Sequence, residues 1–253
     1  MVLLIKGISD DFRPAGVVKN IGDFIIKTRG YLTVFRDIVL MRNILDFSTS
    51  EQEKIINDII DDALISKIIV PDKDTIGEFK RLIKMFLKQD KQDSGNARGK
   101  VFEYIVYKIG PIRPSAFISQ EIIVKKRQCY IETKKGGRVG GEKTFDLGFH
   151  SNCIVNVVNK KTIMELLENK VNLSNELFTC DYQLADKARE KLKYMRTVKN
   201  ALMCCKAVRV ALVTLLSDVS DYKEILDKEG FGCIEIYTIN EIEKLLNCEG
   251  KTA

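Results

Sequence analysis

The chain has 253 residues, of which 45% are hydrophobic and 30% are charged. Its 41 lysines and arginines outnumber its 35 aspartates and glutamates, which gives a formal charge of +6 at pH 7. This hydrophobic fraction excludes an intrinsically disordered chain and is sufficient for one large domain or two small ones. No apolar run approaches the roughly 18 residues that a membrane-spanning helix needs, so we expect no membrane partner.

The cysteine and histidine content narrows the possible chemistry. The seven cysteines lack CxxC spacing, which argues against a zinc ribbon and against a redox pair. They are better explained as free thiols of a protein in the reducing cytoplasm. Because His150 is the only histidine, a zinc site of several imidazoles is excluded. The sequence also lacks a Walker-type GK[ST] motif and a GxGxxG in a strand–helix context, so we expect no nucleotide cofactor. Catalysis would therefore depend mainly on carboxylates and lysines.

The first ninety or so residues have apolar spacing typical of helices. Gly30 marks the start of one predicted helix. Ser50 with Glu53, and Thr75 with Glu78, have the spacing of capping boxes ahead of two further helices. No catalytic signature occurs in this region.

A polar segment with glycine and asparagine at residues 89–96 predicts a boundary. We therefore expect a helical N-terminal region over residues 1–92 that serves in dimerisation or as a substrate clamp. A second domain is expected over residues 93–253.

The second domain alternates between helical and strand-like patterns. The predicted elements are a helix at about Ala97–Ile109, strands at Phe117–Val124, Gln128–Thr133, Lys143–His150, Cys153–Val158 and Ile163–Leu173, a helix at about Asp181–Cys205, a strand at Ala207–Leu216, a helix near Tyr222–Lys228, a strand at Cys233–Tyr237 and a last helix from Asn240. This order predicts an α/β fold with a mixed sheet flanked by helices.

Two of the predicted strands contain acidic residues within apolar runs. Asp146 lies in one run, and Glu168 lies in another together with Lys170. Because side chains alternate along a strand, Glu168 and Lys170 share a face, whereas Glu165 projects from the opposite face. Burying a carboxylate is unfavourable unless a cation or hydrogen bond compensates it. Asp146 on a neighbouring strand would complete a cluster of two carboxylates and one ammonium.

Such a cluster is suited to phosphodiester hydrolysis. Carboxylates hold Mg²⁺, which neutralises charge on the phosphoryl group. A lysine can position the attacking water and stabilise the transition state.

Asp146, Glu168 and Lys170 resemble the motif of the PD-(D/E)XK nuclease superfamily, and the resemblance extends over about Ala97 to Leu246. It implies a restriction-endonuclease-like sheet, Mg²⁺ as cofactor with Mn²⁺ able to substitute, and metal binding by both acids. It also implies that Glu103 on the leading helix assists metal binding and that the carbonyl of Asn169 is a metal ligand.

The sequence departs from the motif in two places. Phe145 stands where the family often has proline, and the 22-residue step from Asp146 to Glu168 requires an added strand or excursion. An alternative interpretation is that Glu168 and Lys170 form an exposed ion pair on an edge strand, but the flanking leucines and valine favour a central strand.

Basic residues surround the predicted cluster. A glycine-rich loop from Lys134 to Glu142 is predicted to be flexible. This loop and the preceding strand are predicted to contact the phosphate backbone of nucleic acid. The predicted contact residues are Lys125, Lys126, Arg127, Lys134, Lys135, Arg138 and Lys143. The long helix is also basic, and a solvated face explains it equally well; its positive residues are Lys187, Arg189, Lys191, Lys193, Arg196 and Lys199.

Three further residues have weaker support as site residues. Gln183 and Lys187 could add polar contacts near the cluster. His150 is better explained as a structural histidine than as a substrate contact.

The resemblance implies a Mg²⁺-dependent DNA endonuclease, most similar in size to type II restriction enzymes. Cleavage of both strands would favour a homodimer, whose two-fold symmetry matches a palindromic site. Two alternatives remain open. One is a repair, recombination or defence nuclease that acts on branched, single-stranded or RNA substrates, and the other is a non-catalytic nucleic-acid-binding protein of the same fold.

Overall fold

The structure is a computed structural model that describes residues 3–7, 12, 14, 16–41, 43–92, 96–117, 123–151, 157–158, 161–179 and 183–249. The chain divides into two compact units. The sheet unit contains Met1–Phe12 and Gly110–Thr238, and the helical unit contains Arg13–Ile109 and Ile239–Ala253.

The sheet unit contains strands and helices, whereas the regular elements of the helical unit are helices in the part that the structure describes. The helices are α1 (Gly16–Lys27), α2 (Tyr31–Leu40), α3 (Thr49–Ile65), α4 (Lys73–Gln92), α5 (Asn96–Ile109), α6 (Leu173–Leu177), α7 (Asp186–Ala201), α8 (Ser220–Lys228) and α9 (Ile239–Glu249). The strands are β1 (Leu3–Lys6), β2 (Val124–Thr133), β3 (Phe145–His150), β4 (Val157–Val158), β5 (Ile163–Lys170), β6 (Ala207–Thr214) and β7 (Glu235–Tyr237). Among the described residues, no helix has the length and apolarity to cross a membrane.

The strands form one mixed sheet in the order β4-β1-β2-β3-β5-β6-β7. Neighbours from β4 to β5 are antiparallel, whereas β5, β6 and β7 run parallel. The core of the sheet unit includes Phe145 and Leu212 from the strands and Leu192 and Met195 from α7. The predicted α/β class, with a mixed sheet and a helical N-terminal region, is confirmed.

The first strand was not predicted, because the first ninety residues were expected to be helical. Leu3 and Ile5 of β1 are buried, and β1 pairs with both β2 and β4. Four residues are too few for a reliable periodic signal, so the partner strands decide that this segment is extended.

Other elements differ from the prediction in length. Residues 118–122 of the strand expected at Phe117–Val124 lie outside the described residues, Phe117 ends a short 3₁₀ helix and Val124 begins β2. The strand expected at Gln128–Thr133 is part of β2, which begins four residues earlier. The expected strand through Leu173 ends at Lys170, and α6 follows. Of the run expected at Cys153–Val158, the two residues of β4 are described and Cys153 lies outside the described residues.

The helix starts lie close to the predicted positions, but the capping residues of α3 and α4 differ from the predicted ones. Gly30 precedes α2 as predicted. The capping box of α3 is formed by Ser48 and Glu51, two residues before the predicted pair. At α4, Asp72 accepts a hydrogen bond from the Thr75 N–H at 3.1 Å, so the aspartate caps this helix instead of the threonine. The sequences at the N-termini of α3 and α4 each contain two overlapping sets of possible capping residues, and the residue at which the helix begins determines which set is used.

The boundary expected between residues 92 and 93 falls between α4 and α5, which belong to the same compact unit. A buried ion pair connects these two helices. Asp90 is fully buried, and its Oδ2 accepts hydrogen bonds from Arg98 Nε at 2.9 Å and Nη2 at 2.7 Å. Arg98 Nη1 also donates to the Val39 carbonyl at 3.0 Å, so one guanidinium links three helices.

We expect Asp90→Ala to lower the free energy of unfolding by about 3 kcal/mol, because it leaves the Arg98 guanidinium without its buried partner. Urea unfolding followed by circular dichroism measures this loss. Glu53→Ala is the matched control: it removes an exposed ion pair with Lys84 at 2.7 Å and should cost under about 1 kcal/mol. Equal losses in the two variants would contradict the role assigned to Asp90.

Candidate active site

The register of β3 and β5 brings the two predicted acids together. Leu147 pairs with Leu167 in this antiparallel ladder, and continuing the register by one residue places Asp146 opposite Glu168. Directly opposed residues in an antiparallel pair project from the same face with Cβ atoms about 5 Å apart. Asp146 Oδ2 also accepts a hydrogen bond from the Asn169 N–H at 2.7 Å. The two carboxylates are therefore cross-strand neighbours.

Two lysines compensate the buried carboxylate of Glu168, whose side chain is 6% exposed. Lys170 Nζ lies 3.3 Å from Glu168 Oε1, as its position on the same strand face predicts. Lys191 on α7 lies closer, with its Nζ 2.6 Å from Glu168 Oε2. Lys191 Nζ also donates to the Thr144 carbonyl at 2.5 Å, so it joins α7 to the residues that lead into β3. We call Asp146, Glu168, Lys170 and Lys191 the acid–lysine cluster.

The environment of Asp146 favours its neutral form. Burial, and next the repulsion from Glu168, raise the pKa of Asp146 to about 7, while the Asn169 N–H and the ammonium groups of Lys170 and Lys191 oppose this rise. Two neighbouring carboxylates that repel each other are stabilised when a cation binds between them.

The donor set of the cluster fits Mg²⁺. In the part of the chain that the structure describes, no three histidine, cysteine, aspartate or glutamate side chains are grouped so that they could hold a metal ion. Zinc sites usually need three or four such ligands, so the cluster does not fit zinc. Mg²⁺ commonly takes one or two carboxylates and completes its shell with water and substrate phosphate oxygens, which the Asp146–Glu168 pair allows.

The other two predicted metal ligands have different surroundings. Glu103 lies on α5 in the helical unit, and it is partly buried. Asn169 lies on β5 between Glu168 and Lys170, and its N–H is bonded to Asp146. Metal binding by Glu103 and by the Asn169 carbonyl stays a prediction.

A cleft of about 450 Å³ opens beside the acid–lysine cluster, and we call it the lysine-lined cleft. Its lining combines four lysines, one acid and two apolar residues, namely Lys143, Lys170, Lys187, Lys191, Glu168, Leu177 and Ala188. From the sequence, Lys191 was assigned only to the basic surface of the long helix and not to the acid–lysine cluster. The signal that could have identified it is the four-residue spacing from Lys187, since this spacing puts both lysines on one helix face.

The predicted basic loop contains a hydrogen-bonded turn. The Gly136 N–H donates to the Thr133 carbonyl at 2.9 Å, and the Val139 N–H donates to the Ile131 carbonyl at 2.9 Å. Gly140, with φ of 80°, passes so close to Tyr194 of α7 that an added Cβ would lie 2.7 Å from the ring. The turn is therefore connected to α7 by packing.

The predicted nucleic-acid contacts on this turn are all exposed, but Arg138 also contacts other groups of the protein. Lys134, Lys135 and Lys143 are exposed, and Lys143 lines the lysine-lined cleft. The Arg138 guanidinium lies 3.8 Å from the centre of the Tyr130 ring, and its Nη1 donates to the Glu142 carbonyl.

The three basic residues on β2 pack against the protein. Lys126 is only 7% exposed, which leaves little surface for contact with a phosphate. The Arg127 guanidinium stacks on Phe12 at 3.6 Å, and Lys125 Nζ lies 5.8 Å from the centre of the Phe149 ring. Their predicted contact with nucleic acid stays untested.

His150 and Gln183 lie outside the cleft lining. His150 is fully buried on β3, as the structural interpretation predicts. Gln183 is exposed, and its carbonyl accepts a hydrogen bond from the Thr179 N–H at 2.8 Å.

Glu165 is the competing acid on β5, and it projects to the opposite side from Glu168. Its Oε1 accepts a hydrogen bond from the Ile112 N–H at 2.8 Å, and its Oε2 accepts one from the Arg113 N–H at 3.1 Å. Burial raises the pKa of Glu165 to about 7, although these two N–H groups oppose the rise. Glu165 therefore anchors the segment after α5 and has a structural role.

We expect Glu165→Gln to change the pH dependence of stability. An acid whose pKa is higher in the folded chain destabilises it increasingly as pH rises from 4.5 to about 7. The variant lacks this effect, so its stability relative to wild type should increase by about 1–3 kcal/mol between pH 4.5 and 8. Chemical unfolding across this pH range measures the change. Glu142→Gln, at a side chain that is 94% exposed, should show no such trend, and a flat difference for Glu165→Gln would contradict the assignment.

Comparison with models of known protein families and with curated proteins finds no match for this chain. Any functional conclusion therefore depends on the geometry and chemistry of the acid–lysine cluster.

Proposed function

We propose that this protein is a Mg²⁺-dependent endonuclease that hydrolyses phosphodiester bonds of DNA. The observation that carries the proposal is the acid–lysine cluster, in which Asp146 and Glu168 are cross-strand neighbours and two ammonium groups lie within 3.3 Å of Glu168. Two adjacent carboxylates beside a lysine match the needs of phosphodiester hydrolysis, where charge on the phosphoryl group must be neutralised and water must be positioned.

Each residue of the cluster has a defined task in this proposal. Asp146 and Glu168 bind the metal ion through their carboxylate oxygens. When bound, Mg²⁺ neutralises charge that develops on the phosphoryl oxygens, and Mn²⁺ is expected to substitute. Lys170 holds the attacking water and donates hydrogen bonds to the phosphoryl oxygens. The water oxygen bonds to phosphorus as the bond to the 3′ oxygen breaks; the water gives up a proton to solvent, and the leaving 3′ oxygen takes a proton from solvent.

Lys191 acts on Glu168 and on the segment before β3. Its ammonium contacts both Glu168 Oε2 and the Thr144 carbonyl, two residues before Asp146. It therefore helps to hold the two acids in place and balances their charge, and we assign it a positioning role.

DNA is the proposed substrate because exposed lysines line the cleft beside the cluster and also lie on the turn before β3. Lys134, Lys135 and Lys143 are exposed on the turn before β3, and positive side chains of this kind bind the phosphate backbone. A type II restriction endonuclease that cleaves as a homodimer is the specific form that we propose, with the helical unit as its dimer interface or substrate clamp.

We expect Glu168→Ala, Asp146→Asn and Lys170→Ala each to lower DNA cleavage by at least about 100-fold, because each removes a metal ligand or the group that positions water. Cleavage of supercoiled plasmid with Mg²⁺, and with EDTA as the metal-free control, measures the loss. Glu224→Gln is the control variant, since it changes an exposed acid on α8 that pairs with Lys228.

The pattern of products separates the possible outcomes. Discrete fragments support a restriction endonuclease. Smears, or cleavage confined to branched, single-stranded or RNA substrates, would instead indicate a repair, recombination or defence nuclease. If wild type and Glu168→Ala are equally inert on DNA and RNA with Mg²⁺ and Mn²⁺, the chain is not a nuclease.

A further inference from the structure

The lysine-lined cleft contains more positive charge than its acid can balance. Four lysines and one glutamate give its lining a formal charge of +3 when all are ionised. Concave sites of one charge sign concentrate ligands of the opposite sign. The volume of about 450 Å³ lies within the range of roughly 300–1,000 Å³ that is usual for ligand sites.

The four lysines fall into two pairs with different surroundings. Lys170 and Lys191 contact Glu168 at 3.3 and 2.6 Å, so their charge is largely committed to the acid. Lys143 and Lys187 are exposed, and among the described residues no carboxylate oxygen lies within 4.0 Å of either ammonium. The uncompensated charge of the cleft therefore belongs to Lys143 and Lys187.

The positions of these two lysines place their charges on separate elements around the cleft. Lys143 lies two residues before β3, and Lys187 lies in the first turn of α7, one turn before Lys191. Because residues four apart share a helix face, Lys187 and Lys191 project to the same side of α7. An anion in the cleft would meet one ammonium from the turn before β3 and one from α7.

We propose that Lys143 and Lys187, within the lysine-lined cleft, form a subsite for a phosphodiester group of DNA that neighbours the one cleaved. The identity of the substrate in this inference rests on the proposed function. An ammonium binds phosphate as a compact point charge, without a fixed hydrogen-bond geometry. Lys143 and Lys187 are thus binding residues, whereas Lys170 acts on the attacking water and Lys191 positions the acids.

The salt dependence of DNA binding tests this assignment. Neutralising a phosphate releases counterions, so the plot of log K against log salt concentration has a slope of about −0.9 per phosphate neutralised on duplex DNA. Because Lys143 and Lys187 bind the same phosphate, which carries one negative charge, we expect the double variant to reduce the magnitude of the slope by about 0.9 and each single variant to reduce it by part of that amount. Lys187→Arg keeps the charge and should keep the slope.

The measurement uses the full chain in EDTA, so that no cleavage occurs. Fluorescence anisotropy of a short fluorescein-labelled DNA duplex gives the affinity between about 50 and 200 mM salt. Lys193→Ala is the matched control: Lys193 lies on the same helix, its side chain is 53% exposed, and it pairs with Glu190 outside the cleft. Its slope should equal that of wild type, and thermal melting verifies that every variant folds.

Steady-state cleavage with Mg²⁺ gives a second test, which distinguishes substrate binding by Lys187 from a purely structural role. Because Lys187 binds without acting on the reacting atoms, Lys187→Ala should raise KM several-fold and leave kcat unchanged. Lys170→Ala should instead lower kcat.

The outcomes separate this inference from the proposed function. Unchanged slopes for Lys143→Ala and Lys187→Ala, an equal decrease for Lys193→Ala, or no DNA binding by wild type would each overturn the subsite. Slopes as expected without cleavage by wild type would support the subsite and overturn the nuclease function. Cleavage by wild type with unchanged slopes would support the nuclease function and overturn the subsite.

Discussion

The antiparallel pairing of β3 with β5 is the constraint on which the candidate site depends. Its register sets Asp146 opposite Glu168, and a shift of one residue would turn one of these acids to the other face of the sheet. Both faces of these strands are largely buried, and Leu147 and Leu166 are fully buried. A shift would therefore exchange closely packed side chains between the two faces, which the packing of the core opposes. The packing of the hydrophobic core therefore positions the two carboxylates.

Placing two carboxylates side by side in a buried position is unfavourable, and the chain offsets this cost with lysines from two elements. Lys170 comes from β5 itself, and Lys191 comes from α7. The contact of Lys191 requires that α7 pack on the sheet, which it does through buried residues such as Leu192 and Met195. The electrostatics of the cluster therefore depend on helix packing as much as on the acid-bearing strands, and a bound divalent cation would relieve the remaining repulsion.

Much of the fold could be predicted because its elements have strong local patterns. The helix α5, the buried strand β6 and the helix α8 were expected near their observed positions, since each has a continuous or periodic apolar pattern. The strand β1 could not be predicted, because four residues contain too little periodicity and its partners lie far along the chain. The same limit applies to the α3 cap, where two overlapping serine–glutamate pairs satisfy the local rule and the start of the helix selects Ser48.

For the candidate site, the sequence by itself determined which residues of β5 share a face, because alternation along a strand is a local property. It therefore separated Glu165, which binds two backbone N–H groups, from Glu168 and Lys170. Only the tertiary structure decided that Lys191 contacts Glu168 and that four lysines surround one cleft. These contacts join residues from separate elements, and the packing of α7 against the sheet, which no local pattern specifies, brings them within a few ångströms.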